Sequence, residues 1–272
     1  MTEPTVLVPL DGSEPALAAL PVANALGEVE HAALLFLHVA EDRPPDAESL
    51  SRVLLGGTEL DGLTVATRTG KPAAELVHAA AEIRPQLIVL CKHGAIEPPN
   101  VLGGTAMNVL HNAPCPVVLV PPSRGSTPWR LQHILVPHDG TPGTSTALRP
   151  AQKIAEHAGA DLLVVHVAGT APAAVEPGYF TTPRYVDQPH HEWPAWSSEF
   201  GKRFVCLGPP GRLQMRVCLA RGNAAAEVMR LANQHATDLI VLAWRGVWDA
   251  PRAAVLRHIV AAGRCPIAVV RV

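Results

Sequence analysis

Aromatic residues make up only 4% of this 272-residue chain, and charged residues only 17%. With 48% apolar residues beside so little charge, the chain has enough hydrophobic surface to collapse, which excludes global disorder. An excess of positive charge is also missing: 22 Lys and Arg stand against 24 Asp and Glu, a formal net charge of −2. No basic stripe is visible, so nucleic acid is not an expected partner. No uncharged apolar run reaches the ~18 residues of a membrane span. The N-terminus leads directly into a strand-like run with no signal-peptide pattern, so a cytoplasmic location is expected. The five cysteines, Cys91, Cys115, Cys206, Cys218 and Cys265, are an odd number without a C-x-x-C pair. Most sit in apolar runs, so buried reduced thiols are expected in place of disulfides or a metal site. A Walker motif is absent, and neither half offers a Ser/His/Asp or Cys/His set identifiable as nucleophile and base, so dedicated catalysis is not expected.

What is present is a repeat. Val6-Leu7-Val8-Pro9-Leu10-Asp11-Gly12-Ser13 is echoed by Ile134-Leu135-Val136-Pro137-His138-Asp139-Gly140-Thr141. Leu37-His38-Val39-Ala40 returns as Val165-His166-Val167-Ala168, and Gly70-Lys71-Pro72-Ala73-Ala74-Glu75 returns as Gly222-Asn223-Ala224-Ala225-Ala226-Glu227. Leu87–Leu90 matches Leu239–Leu242, and Cys115-Pro116-Val117 matches Cys265-Pro266-Ile267. A period this long marks a duplicated domain, because solenoid units run to ~20–50 residues. The expected division is a first domain at 1–122, a linker at 123–130 and a second domain at 131–272, each large enough to bury its own core.

Each half alternates short Val-, Leu- and Ile-rich runs with Ala-rich helical stretches. The first half has strand candidates at Thr5–Leu10, Ala33–Val39, Leu63–Arg68, Leu87–Leu90 and Val117–Val120, with helices expected at Glu14–Leu26, disturbed by Pro21, and at Ala73–Glu82. The second half repeats the pattern near Ile134–Pro137, Leu162–Val167, Met215–Ala220, Leu239–Leu242 and Ile267–Val270. Strands covered on both faces by helices imply right-handed crossovers and a mostly parallel sheet. The halves are expected to pack near their final strands, because an edge as apolar as Val117–Val120 is an aggregation hazard unless covered. Matching residues lie 128 apart up to His38/His166 and 152 apart from Gly70/Gly222, so the second half has gained about 24 residues. That insert, at about 169–200, holds Tyr179, Phe180, Tyr185, Trp193, Trp196 and Phe200. It reads either as a protein-partner surface or lid, or as a cover for the core.

In open parallel sheets, ligands bind beyond the carboxyl ends of the strands where strand order reverses. Asp11 and Asp139 stand at such ends, either to accept hydrogen bonds from a nucleoside or to cap the following turn. Cys91-Lys92-His93-Gly94 follows the fourth strand, and Gly104-Thr105 opens a short helix ending near His111-Asn112, a pattern suited to phosphate at a helix N-terminus. In their order, these motifs resemble a tandem universal stress protein, over both halves apart from the insert. The resemblance implies a doubly wound α/β fold in each domain, with a five-stranded parallel sheet in the order 3-2-1-4-5. It also implies an adenine-nucleotide pocket lined by Pro9, Asp11, Val39, Gly94, Gly104 and Thr105, since ATP-binding members carry Gly-x2-Gly-x9-Gly-Ser/Thr.

The chain departs from that pattern in both halves. Cys91 replaces the motif's first glycine, either narrowing the approach to nucleotide or simply facing the core. In the second half Ala243 replaces it, Gly246 remains, the following loop is two residues shorter, and Ala254-Val255 replaces Gly-Thr. The expected function is a stress-response regulator that binds ATP or another adenine nucleotide in the first domain only. The alternatives are a non-nucleotide interaction module working through the insert, and a weak ATPase. The halves are expected to form an intramolecular pseudo-dimer, with a homo-oligomer as a further arrangement.

Overall fold

Runs of three or four branched aliphatic residues are costly to leave in water and pack well on a pleated surface, so they form the buried centres of the strands. The computed structural model describes residues 3–42, 64–93, 102–122, 128–139, 142–168, 213–250 and 253–272. Gly94, Cys206 and the aromatic insert lie outside these residues. Two compact units emerge: Met1–Arg130 together with Val260–Arg271, and Leu131–Ile259 together with Val272.

The first unit is built on β1 (Thr5–Pro9), β2 (Ala33–Ala40), β3 (Thr64–Thr69), β4 (Leu87–Cys91) and β5 (Val117–Val120). Val6, Leu7 and Val8 are fully buried, as a central strand covered on both faces requires. Hydrogen bonding is parallel throughout, in the order β3-β2-β1-β4-β5. The edge of β5 is covered by β10 (Ile267–Arg271), which pairs with it antiparallel, Ala268 opposite Val118. The final strand of the second half is thus laid against the final strand of the first.

The helix expected at Glu14–Leu26 is displaced. A 3-10 turn at Pro15–Ala18 leads into α1 (Ala19–Glu30), which puts Pro21 in the first turn. First-turn N–H groups have no intrahelical acceptor, so the missing proline donor costs nothing there and the middle of the helix is undisturbed. α1 packs on β1, β2 and β4. α2 (Pro72–Ile83) extends the expected Ala73–Glu82 by one residue at each end, beginning at Pro72, and packs against α3 (Gly104–Asn112).

The second unit holds β6 (His133–Pro137), β7 (Asp161–Ala168), β8 (Met215–Arg221) and β9 (Leu239–Trp244), parallel in the order β8-β7-β6-β9. Its helices are α4 (Pro142–Ala158), α5 (Ala224–Gln234) and α6 (Ala253–Ala262), the last of which runs on into the first unit. In each unit the first strand has the second on one side and the fourth on the other. The sheet therefore reverses its order at β1 and at β6, and those carboxyl ends are where a ligand site belongs.

Candidate functional site

The chain leaves β1 through a tight turn held from two sides. Asp11 Oδ1 accepts the Ser13 backbone N–H at 2.9 Å, so the carboxylate serves its own turn. His38, 9% exposed in β2, has Nδ1 2.9 Å from the Leu10 carbonyl oxygen. The Leu10 N–H in turn donates to Leu37 O at 3.0 Å. This pair of contacts pins the turn to the end of β2 and leaves Asp11 exposed at the edge of the sheet. Val39 follows His38 at the same edge, half-buried, and so does Pro9 at the end of β1. The second half repeats the clamp, with His166 Nδ1 2.8 Å from the His138 carbonyl oxygen.

The end of β4 supplies the other side. Cys91 is a strand residue paired with Val120, and burial raises its thiol pKa. Lys92 follows with only 4% exposure, and its ammonium donates to the carbonyls of Val260 at 3.0 Å and Gly263 at 3.1 Å. These oxygens lie at the C-terminal end of α6, where carbonyls lack intrahelical donors and the helix dipole favours a cation. Burial nonetheless lowers the Lys92 pKa. The carbonyl of Lys92 accepts from the Gly103 N–H at 2.8 Å, which closes the base of the connection to α3.

Gly103 caps α3 in an extended conformation and contributes no side-chain acceptor to the first turn. Gly104 and Thr105 open the helix and are both exposed. A Cβ built on Gly104 meets nothing within 4 Å, so a small side chain would find room at this position. Exposed backbone, a hydroxyl and the positive end of the helix dipole thus stand together at this helix end, groups suited to an anion.

The equivalent region of the second unit is occupied by the protein's own side chains. His138 Nε2 lies 3.0 Å from Ser145 Oγ, and burial depresses the His138 pKa to about 4. Asp139 Oδ1 accepts from Thr144 Oγ1 at 2.7 Å. A Cβ on Gly143, in the first turn of α4, would come within 3.2 Å of Arg245 Nη2, so the guanidinium rests on bare backbone. Arg257 donates to the carbonyls of Trp248 and Ala250, and Trp248 packs edge-on to Trp244 with ring centroids 6.3 Å apart.

Of the residues expected to line a pocket, the described ones, Pro9, Asp11, Val39, Gly104 and Thr105, lie at the carboxyl edge of the first unit's sheet. Gly94 falls outside the described residues. The thiol expectation needs one correction. Cys91, Cys115, Cys218 and Cys265 are not in disulfides, but among the described cysteines Cys91 alone is buried, because the others occupy partly open positions at element ends or in an edge strand. The backbone clamp of His38 is a role that its sequence position alone does not reveal, and its repetition as His166 is the one signal of it. Lys92 carried no signal at all, since its partners lie 168 and 171 residues away. The Gly-x4-Glu motif proves local: Gly70 has φ 140° and Gly222 φ 132°, where a Cβ would be strained, and in each case the glutamate five residues on folds over the glycine. Among the described residues no group of three or more His, Cys, Asp and Glu is placed to hold a metal, and no helix is long and apolar enough to cross a membrane.

A model of the universal stress protein family matches residues 58–121 and 130–194. No curated protein matches the chain. Among solved structures, a universal stress protein from Archaeoglobus fulgidus aligns over 100% of this chain and 99% of its own, with a TM-score of 0.67 and 15% identity. A functionally unknown protein from Pseudomonas aeruginosa aligns over 99% of this chain and 93% of its own, with a TM-score of 0.68 and 18% identity. At such identities the likeness is one of fold.

Proposed function

We propose, from the match of a universal stress protein family model to a segment in each half, that the chain is a stress-response regulator that binds ATP or another adenine nucleotide in its first domain, without dedicated catalysis. The domains are taken as 1–122 and 131–272, joined by the linker 123–130. The observation that carries this reading is the first turn of α3, where Gly104 and Thr105 are exposed and a Cβ on Gly104 would meet nothing within 4 Å. Phosphate belongs there, against backbone N–H groups and the Thr105 hydroxyl. Asp11, held at the switch point of the sheet by His38 and Ser13, is available to accept from a ribose hydroxyl or an adenine amine.

Calorimetric titration of ATP into the purified protein tests the reading. Saturable binding that Gly104→Val abolishes is expected, because the new side chain, whose Cβ meets nothing within 4 Å, fills the proposed phosphate position. No heat from the wild type, or unchanged affinity in the variant, would reject it and favour an interaction module that uses no nucleotide.

A further inference from the structure

Where the turn after β1 is apolar, the turn after β6 is polar. Leu10, Ala16 and Leu17 of the first half become His138, Thr144 and Ser145 in the repeat, and His93 becomes Arg245. The second unit brings these four together at the carboxyl end of β6. His138 Nε2 lies 3.0 Å from Ser145 Oγ, and the His138 backbone is fixed in turn by His166 Nδ1, 2.8 Å from its carbonyl oxygen. The imidazole is only 5% exposed, whereas Ser145 is half-buried, so the serine is the more open member of the pair. The neighbouring Thr144 hydroxyl is engaged elsewhere, donating to Asp139 Oδ1 at 2.7 Å. Arg245 rests on Gly143, two residues before Ser145 in the first turn of α4. The fold itself does not require this arrangement, because the first unit closes the same place with Leu10, 3% exposed. A buried hydrogen-bonded pair is no more stabilising than an apolar pair of the same shape, so stability does not account for the exchange.

We infer that Ser145 is a nucleophilic serine with His138 as its general base, and that it accepts acyl groups from activated carboxylic esters. The inference concerns the second unit alone and does not depend on the nucleotide reading. A hydroxyl within hydrogen-bond reach of an imidazole is the minimal arrangement of an activated nucleophile. In the step, Ser145 Oγ forms a bond to the ester carbonyl carbon while its proton passes to His138 Nε2, which requires the imidazole's own proton to be on Nδ1. The tetrahedral oxyanion then collapses, the bond to the leaving oxygen breaks, and the leaving group departs as an anion. Water later hydrolyses the acyl-serine to the free acid and regenerates the hydroxyl. Arg245 and the positive end of the α4 dipole belong to the turn that carries Ser145, and both favour negative charge there. The chemistry of the base selects the ester. Burial depresses the His138 pKa to about 4, with His166 acting in the same direction and Asp139 opposing it. The imidazole is therefore neutral at pH 7 but weakly basic, so it serves a leaving group such as a phenolate, which departs without a proton.

Incubation of the full chain with para-nitrophenyl acetate tests this, with the acetylated residue located by peptide mass spectrometry and its rate followed with time. Acetyl is expected on Ser145, ahead of Thr144 and of the exposed Thr146 on either side of it. His138→Leu puts in the residue that the first half has at this place, and it is expected to slow acetylation of Ser145 about a hundredfold, the lower end of what a positioned base supplies. Arg245→Gln should slow it about tenfold. The wild type alone gives a second readout that needs no variant to fold: because the imidazole is already neutral, the rate at Ser145 should be level from about pH 5.5 to about pH 8. No acetyl on Ser145, or acetyl spread evenly over Thr144, Ser145 and Thr146, would overturn the inference. So would a rate at Ser145 that rises about tenfold per pH unit up to pH 8, since hydroxide and not His138 would then be the base. An unchanged rate in a folded His138→Leu protein would leave the pair a packing contact and the inference wrong.

Discussion

Cys91 occupies the position where nucleotide-binding relatives of this pattern place a glycine, and its surroundings say how the residue is used. It lies in β4 opposite Val120, in extended backbone that any residue can adopt, and only 9% of it is exposed. A glycine there gains no approach that the strand does not already provide. Cys91→Gly is therefore expected to cost about 1 kcal/mol in urea unfolding through backbone entropy, with ATP affinity unchanged; a tenfold tighter Kd in the variant would show instead that the thiol blocks the nucleotide. The second half carries a different residue-scale signature. His138 and Ser145 are the repeat counterparts of Leu10 and Leu17, so an apolar pair has become a hydrogen-bonded one with Nε2 3.0 Å from Oγ. The folded His138 resists protonation down to about pH 4, against an ordinary value of 6.5. Its neutral form is then favoured by the fold: the contribution to stability is complete above pH 6.5 and declines as pH falls towards 4, by about 3 kcal/mol at most. The double variant His138→Leu with Ser145→Leu is expected to flatten this slope, read as the difference between urea midpoints at pH 7 and pH 4.5.

Among the elements, the strands were the most legible in the sequence, because a run such as Val6-Leu7-Val8 has few ways to hide from water on both faces. Helix boundaries were less so. α1 runs to Glu30, past Gly27, which reads as a stop yet is required by packing: a Cβ there would lie 2.9 Å from Leu34 Cδ2 and 3.2 Å from the Ala32 carbonyl oxygen. Local propensity marks the glycine but not the strand that presses on it. Position at the sheet edge was legible for Asp11, Val39, Gly104 and Thr105, since it follows from order along the chain. The hydrogen bonds from Lys92 to Val260 and from Arg271 to His111 were not, because the partners are more than 150 residues away. The starts of α2 and α5 bear a prediction of their own. Gly70 and Gly222, at φ 140° and 132°, lie in a region that side chains enter only with strain. Gly70→Ala and Gly222→Ala are each expected to destabilise the protein by roughly 1–3 kcal/mol while ATP affinity is retained by the folded fraction. Loss of binding at full stability would mean that the Gly-Lys-Pro-Ala-Ala-Glu motif touches ligand.

At the scale of the whole chain, duplication has produced two units of one fold with unlike edges. In the first, the helix after the fourth strand opens with the exposed Gly104 and Thr105, and a Cβ on Gly104 would meet nothing within 4 Å. In the second, Arg245 lies across the first turn of α4, Trp248 packs on Trp244, and Arg257 holds the loop carbonyls that lead into α6. A phosphate entering the second unit would meet Ala254 and Val255 in place of a glycine and a hydroxyl, beside a guanidinium that already rests on the first turn of α4. Side chains that satisfy one another in this way leave little for a ligand to gain, because each contact made with nucleotide replaces one already present. The expected stoichiometry is therefore one ATP per chain. Ala254→Gly with Val255→Thr restores the motif's residue types but leaves Arg245 and Trp248 in place, so it should not create a second site. Calorimetry on this double variant should again return a single site with the wild-type Kd. Two equivalent sites in the wild type, or a second site gained by the double variant, would show that the filled edge of the second unit opens at small cost and that the asymmetry between the units is not what restricts binding to the first.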